Sequence, residues 1–153
     1  MTVSGKRIVV TGAGRGIGAG LTALLRDRGA TVVTADIDPA GVDVACDVSD
    51  PAQVDALFAH AGEVDGLVNN AALLVSRRAY DEIALDEWDR MFAVNVRGSY
   101  LCATAAAAAM RAHGRGGAIV NIASETAFTG SHGFVHYVAS KGAVVSLTRA
   151  LAN

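Results

Sequence analysis

Cysteine is scarce in this sequence. Its 153 residues hold two, Cys46 and Cys102, with no CxxC spacing. Neither a disulfide framework nor a thiolate metal cluster is therefore expected. Both thiols are expected to be reduced and half-buried. Cysteine and histidine never fall at metal-ligand spacing, which argues against metal catalysis. Charge is sparse too: charged residues make up 18%, and the net charge of −2 comes from scattered signs. That excludes the basic face on which a nucleic-acid partner would dock. Arg77 and Arg78 form an isolated pair, expected in a solvated loop. Long apolar runs are missing as well. The blandest, residues 105–109, is far too short to span a bilayer and is soon followed by Arg111. Residues 1–6 contain nothing like the apolar part of a secretory signal, so a cytoplasmic location without a membrane partner is the expectation.

What is present is apolar and alternating. Hydrophobic residues make up 52% and the mean hydropathy is +0.35, enough for one domain with a substantial core. Residues 7–10, RIVV, are apolar on both faces, as a buried parallel strand is. A glycine loop and a helix over about 16–28 follow, closed by Gly29. The run ATVVTAD predicts a second strand ending at Asp36, and a third is expected near 42–45 after Pro39 and Gly41. The next helix is well punctuated: Ser49 or Asp50 as N-cap, Pro51 at the first helical position, Gly62 as stop. GLVN is the fourth strand and AIVNIA the fifth, with one long helix over about 86–113 between them, ended by Gly114. A last helix is expected from near Tyr137 to at least Asn153. Strands alternating with helices imply a parallel sheet covered on both faces.

The loop TGAGRGIGAG is where chemistry enters. Glycines there permit positive φ and let a phosphate approach the backbone, while the helix that follows aims free N–H groups at it. No GK[ST] ending follows, which disfavours a P-loop nucleotidase. A glycine pattern alone is weak. Strand, loop, helix and a strand-end acid in that order are much more specific to a dinucleotide site. The Asp36 carboxylate suits the ribose hydroxyls of NAD and repels the 2′-phosphate of NADP. Arg15, inside the loop, leaves the alternative open by offering that phosphate a counter-charge.

The stretch YVASK places Tyr137 and Lys141 four residues apart, on one helix face. A free phenol titrates near 10, by the usual values, and is a poor base at neutral pH. An ammonium about 4 Å away, at an effective dielectric of ~20, favours phenolate by about 4 kcal/mol, or roughly 3 pKa units. The pair alone reads more readily as an amphipathic surface helix. Two residues shift that balance. Ser124 follows the fifth strand, at the carboxyl edge where open α/β sheets bind ligands. Asn95 shares a helical stripe with Trp88, Met91 and Phe92, which puts an amide on a buried face. It is either satisfied by local backbone or holds a water that passes protons to Lys141.

Together these residues resemble the short-chain dehydrogenase/reductase family, in its branch with the YxxxK signature. TGAGRGIG resembles the family's TGxxxGxG loop, Asp47 in CDV its adenine-contacting aspartate, and NNAA (residues 69–72) its NNAG motif. Asn95, Ser124, Tyr137 and Lys141 resemble its catalytic tetrad. The resemblance implies a Rossmann-type doubly wound sheet of strand order 3-2-1-4-5. It implies a nicotinamide dinucleotide (NAD by the reading of Asp36, with NADP the less favoured alternative) held by Gly12, Gly14, Arg15, Gly16, Ile17, Gly18, Asp36, Asp47, Val48, Asn70, Ala71, Tyr137 and Lys141. It implies hydride transfer between nicotinamide and a small-molecule secondary alcohol or ketone, with Tyr137 moving the hydroxyl proton and Ser124 orienting the oxygen. Lys141 would hold the nicotinamide ribose, and Asn95 would support a water relay.

Departures from the family pattern carry expectations of their own. Ala72 stands where the family has glycine, and Glu125 brings a carboxylate close to the expected pocket. The family continues through a sixth strand, a substrate-covering loop and a seventh strand. Residues 1–153 are therefore expected to form one dinucleotide-binding domain, incomplete at its C-terminus and with an open fifth strand. Association as a homo-oligomer, dimer or tetramer, is expected through the long helix and the last helix. A nucleotide-binding or interaction module without turnover is the alternative function. His60, His113, His132 and His136 are expected on the surface or in loops rather than as ligands, with His132 and His136 in the segment that lines the family's substrate cavity. Phe128, Phe134 and Val135 are expected to make that pocket partly apolar.

Overall fold

The computed structural model of the chain describes residues 2–152. Five parallel strands form one sheet in the order β3-β2-β1-β4-β5. They are β1 (Arg7–Thr11), β2 (Thr31–Asp36), β3 (Val44–Ala45), β4 (Gly66–Asn69) and β5 (Ala118–Asn121). The helices are α1 (Gly16–Asp27), α2 (Pro51–Ala61), α3 (Leu85–Phe92), α4 (Ser99–Ala112), α5 (Thr126–Thr129) and α6 (Val135–Leu151). A π-helical turn, Ala93–Gly98, joins α3 to α4 without a break. Among the described residues no helix is long and apolar enough to cross a membrane.

β1 sits at the centre, in register Arg7↔Thr31 with β2 and Ile8↔Gly66 with β4. Its alternating side chains enter two separate cores. Val9 joins Val33, Leu57, Phe58, Leu67 and Met110 on the side of α2 and α4. Ile8 and Val10 join Val32 and Ala30 on the side of α1. Burial on both sides is what an unbroken apolar run such as RIVV requires. Fully buried Leu57 and Leu67 each contribute about 1.5–3 kcal/mol on transfer grounds.

The helix punctuation matches the expected signals. Asp50 caps α2 by accepting the N–H of Ala52 at 2.9 Å, Pro51 follows, and Gly62 ends the helix at φ +68°. Gly29, at φ +83°, ends the turn after α1 by donating to the Arg26 carbonyl.

Five local features differ from expectation. β3 has two residues rather than four, because the Asp43 carboxylate takes the N–H and hydroxyl of Thr34 at 2.8 and 2.7 Å. A side chain thus replaces the backbone ladder there, and these hydrogen bonds, the backbone one foremost, hold the Asp43 carboxyl below its usual pKa. The long helix is interrupted by the π turn at Asn95, where the only glycine is its last residue, Gly98. α5 has no counterpart among the expected elements. α6 begins at Val135 and ends at Leu151, and Asn153 lies outside the described residues. Cys46 and Cys102 are buried rather than half-buried, and desolvation pushes their thiols up to about 11 and about 12. Such thiols are unreactive at neutral pH.

Candidate functional site

The carboxyl ends of β1, β2 and β4 open into a cleft of about 630 Å³. Gly12, Arg15, Gly16, Ile17, Asp36, Asp47, Val48, Asn70 and Ala71 all border it. The glycine loop is shaped by close approach. At Gly12, φ is +63° and a β-carbon would lie 2.7 Å from the Ala71 α-carbon. A β-carbon at Gly18 would collide with the Gly12 carbonyl oxygen. Asn70 braces the same turn, its amide donating to the carbonyls of Thr11 and Gly12 at 3.0 and 2.9 Å. The Thr11 hydroxyl in turn accepts the N–H groups of Asn70 and Ala71, each at 3.1 Å. The Asn70 side chain after β4 and the Thr11 side chain of β1 thereby brace the loop that follows β1.

Two features of this cradle suit a phosphate-bearing ligand. Arg15 precedes α1 in an extended conformation with no side-chain cap, so the first N–H groups of the helix stay available to an anion. Gly16 (φ +56°) and the exposed Ile17 leave the approach to that helix end uncrowded. Asp36, half-buried at the far side, accepts the N–H of Gly14 at 3.0 Å through Oδ2 and that of Asp38 at 3.2 Å through Oδ1. Gly14 and Gly18 do not border the cleft. Gly14 anchors Asp36, and Gly18 is packed beneath the loop. Asp47, at the end of β3, holds Ser49 through Oδ1 at 2.9 Å (N–H) and 2.7 Å (hydroxyl). Sequence reasoning missed Ile37, Leu73, Leu74, Arg90 and Val94 on the cleft wall. Ile37 is adjacent to Asp36, and Arg90 and Val94 are four apart along one helical face, which are the signals that could have found them.

The second group of residues gathers around α6. Lys141 is 4% exposed and its Nζ donates to the carbonyl of Ile122, just past β5, at 2.7 Å. Burial lowers its pKa from the ordinary 10.5. Nζ stands 5.9 Å from the centre of the Tyr137 ring, so the two side chains share one side of the helix. Ser124 is half-buried where β5 leads into α5, its hydroxyl 2.8 Å from that of Thr126. Glu125, next to it, is exposed at the start of α5.

Asn95 is 1% exposed. Its Oδ1 accepts the N–H of Leu73 at 2.7 Å, and its Nδ2 donates to the Leu73 carbonyl at 3.1 Å and to the Ser140 hydroxyl at 2.9 Å. The amide is thus satisfied by protein: Leu73 on the cleft wall and Ser140 of α6. Ser140 passes the connection on, donating to the Tyr137 carbonyl at 2.7 Å. The amide sits within the π turn. The main-chain carbonyl of Asn95 accepts the Ser99 hydroxyl at 2.8 Å, one turn further on.

Arg77 and Arg78 lie in an exposed loop, as expected, where Arg78 Nε also donates to the Glu87 carboxylate at 2.9 and 3.2 Å and Arg77 lies 5.5 Å over the Phe134 ring. One surface expectation is corrected. His136 is fully buried, not at the surface, with Nε2 3.0 Å from Glu87 Oε1. His132 is exposed. Phe134 is half-buried, whereas Phe128 and Val135 are exposed, at 72% and 43%. Among the described residues no three His, Cys, Asp or Glu side chains gather as they would around a metal ion.

Comparison with known proteins adds a lineage to this geometry. Residues 6–153 match the profile of a family described as short chain dehydrogenase. Sorbitol dehydrogenase of Cereibacter sphaeroides is 39% identical over 165 residues, covering 97% of this chain and 64% of that protein. D-Threitol dehydrogenase of Mycolicibacterium smegmatis is 36% identical over 170 residues, covering 98% of this chain and 64% of that protein. Among solved structures, 3-ketoacyl-(acyl-carrier-protein) reductase of Brucella melitensis, complexed with NADH, superposes with a TM-score of 0.93 at 37% identity, covering 99% of this chain and 70% of that one. The chain therefore spans about 64% of the length of these two curated relatives.

Proposed function

From the premise that this chain belongs to the short-chain dehydrogenase family, we propose that it is an oxidoreductase acting on a secondary alcohol or ketone with a nicotinamide dinucleotide. The observation that carries the reading is the pairing on α6: Tyr137 and a buried Lys141 on one side of the helix, 5.9 Å apart from ring centre to Nζ. Bound at the glycine loop, the dinucleotide would supply the hydride acceptor or donor. Everything else is assigned to the chain's own residues. The phenol of Tyr137 takes the hydroxyl proton during oxidation and returns it during reduction. The Lys141 ammonium favours negative charge developing on that oxygen, in surroundings where burial strengthens the field. Ser124 donates to the substrate oxygen and orients it. Asn95 fixes the α6 backbone through Ser140.

The cleft residues support the cofactor assignment. Gly12 and Gly16 admit the pyrophosphate, Asp36 accepts the adenosine ribose hydroxyls, and Asp47 and Val48 border the adenine. Asp36 selects NAD, because its charge opposes a 2′-phosphate. NADH is thus expected to bind at least tenfold more tightly than NADPH, with the preference narrowing in Asp36→Ser; equal affinities in the parent protein would refute that role. The relatives named for sorbitol and D-threitol make polyols the first substrates to test.

The deciding experiment is Tyr137→Phe. It is expected to bind NADH as the parent does, by cofactor fluorescence, while turnover of the best alcohol falls roughly 10²–10⁴-fold. Equal turnover would end the assignment. A second reading, a dinucleotide-binding module without turnover, draws on one observation: Ser124 and Tyr137 do not border the 630 Å³ cleft. NADH binding without turnover of any polyol, in the parent protein, would favour it.

A further inference from the structure

His136 is fully enclosed, and the chemistry proposed for its neighbour Tyr137 gives it no part. Its Nε2 is close enough to Glu87 Oε1 for a hydrogen bond, at 3.0 Å, but the angle lies outside hydrogen-bond geometry and both ring nitrogens lack a partner. A buried imidazole without partners is disfavoured, and a small ring rotation onto the Glu87 carboxylate relieves half of that. Glu87 is itself held from the other side by Arg78. The Arg78 backbone N–H donates to the Gly133 carbonyl at 3.1 Å. Three pieces of chain therefore meet at one carboxylate: the segment after β4, the first turn of α3, and the first turn of α6.

α3 and α5 pack against α6, but its first turn has no side-chain cap: Phe134 precedes it at φ −130° and ψ 35°. Uncapped helix ends fray more readily than capped ones. Tyr137 lies within this turn, fixed from the C-terminal side by Ser140. We propose that His136 is a positioning residue: tied through Nε2–H to the Arg78-braced Glu87, it fixes the first turn of α6 and so aims the Tyr137 phenol at the reacting oxygen. The proposal rests on the catalytic role assigned to Tyr137 above.

The test reads the phenol directly. Incorporated 3-fluorotyrosine labels the three tyrosines, and Tyr137→Phe assigns one ¹⁹F resonance. His136→Phe keeps a ring without nitrogen, Glu87→Leu removes the acceptor, and Glu87→Gln keeps an acceptor without charge. The Tyr137 resonance is expected to shift and broaden in His136→Phe and Glu87→Leu, to return in Glu87→Gln, and to leave Tyr80 and Tyr100 unmoved. In turnover assays the first two variants are expected to lose kcat on the order of tenfold, with KM for NADH within about twofold. An unmoved Tyr137 resonance in folded His136→Phe overturns the proposal. So does equal loss in Glu87→Gln and Glu87→Leu. Should His136→Phe fail to fold, the Glu87 pair decides alone. A parent protein without turnover refutes the oxidoreductase reading, and the fluorine spectra still judge the tether.

Discussion

Lys141 shows how the burial of one charge ties stability to pH. Its ammonium is buried and donates to the Ile122 carbonyl, and desolvation lowers its pKa. Between that lowered value and the ordinary 10.5, the unfolded chain binds more protons than the folded one. Stability then rises with pH across the window and is flat below it. Relative to Lys141→Met, the parent protein is expected to gain stability as pH climbs towards 10.5, in urea titrations at a series of pH values. A difference that stays constant or narrows with pH would contradict the burial argument. The glycine positions were legible in sequence because Gly12 leaves no room for a β-carbon. The burial of His136 was not, since nothing local in FVHYV distinguishes a loop histidine from one enclosed by Glu87, about fifty residues away.

At the level of elements, the joint between α3 and α4 matters most. The π turn gives the helix one extra residue per turn just where Asn95 must reach both Leu73 and Ser140. Asn95→Ala would leave the Leu73 N–H and the Ser140 hydroxyl without these bonds, in a buried place. A loss of about 2–4 kcal/mol is expected in urea unfolding. A loss below about 1 kcal/mol would mean that water replaces the amide with ease. Residues 86–113 read as one unbroken helix because only Gly98 interrupts their helical pattern, and the stripe of Trp88, Met91 and Asn95 is as consistent with an α turn as with a π turn. The parallel sheet, by contrast, follows from apolar runs alternating with capped helices, while its strand order was implied by the family resemblance and not by the pattern itself. The two-residue β3 shows the limit: a side chain, Asp43, took over the hydrogen bonds that a longer strand would have made.

For the whole molecule, cofactor and fold are linked by mass action. NADH at a hundred times its Kd is expected to stabilise the protein by about 2.7 kcal/mol, or roughly 5–10 °C in Tm. A melting curve indifferent to NADH would count against the dinucleotide site. Several large apolar side chains also face outward: Tyr100 on α4 is 46% exposed, Val120 on β5 is 51% and Leu151 on α6 is 46%. The outer edge of β5 pairs with no strand among the described residues. As a hypothesis, these 153 residues self-associate in solution. Sedimentation as a monodisperse monomer that unfolds cooperatively would exclude it.

The contact between Gly98 and Val48 has a consequence for redesign. A β-carbon on Gly98 would come within 2.7 Å of Val48 Cγ2, so the helix bearing Asn95 leans on a wall of the nucleotide cleft. On the proposed function, one partition would therefore be shared by the groove assigned to the adenine and the strut assigned to the reacting end. A Gly98→Ala variant is expected to weaken NADH binding, read by fluorescence, although position 98 borders no part of the cleft. Efforts to swap the coenzyme and efforts to retune the reaction would be altering a single mechanical piece.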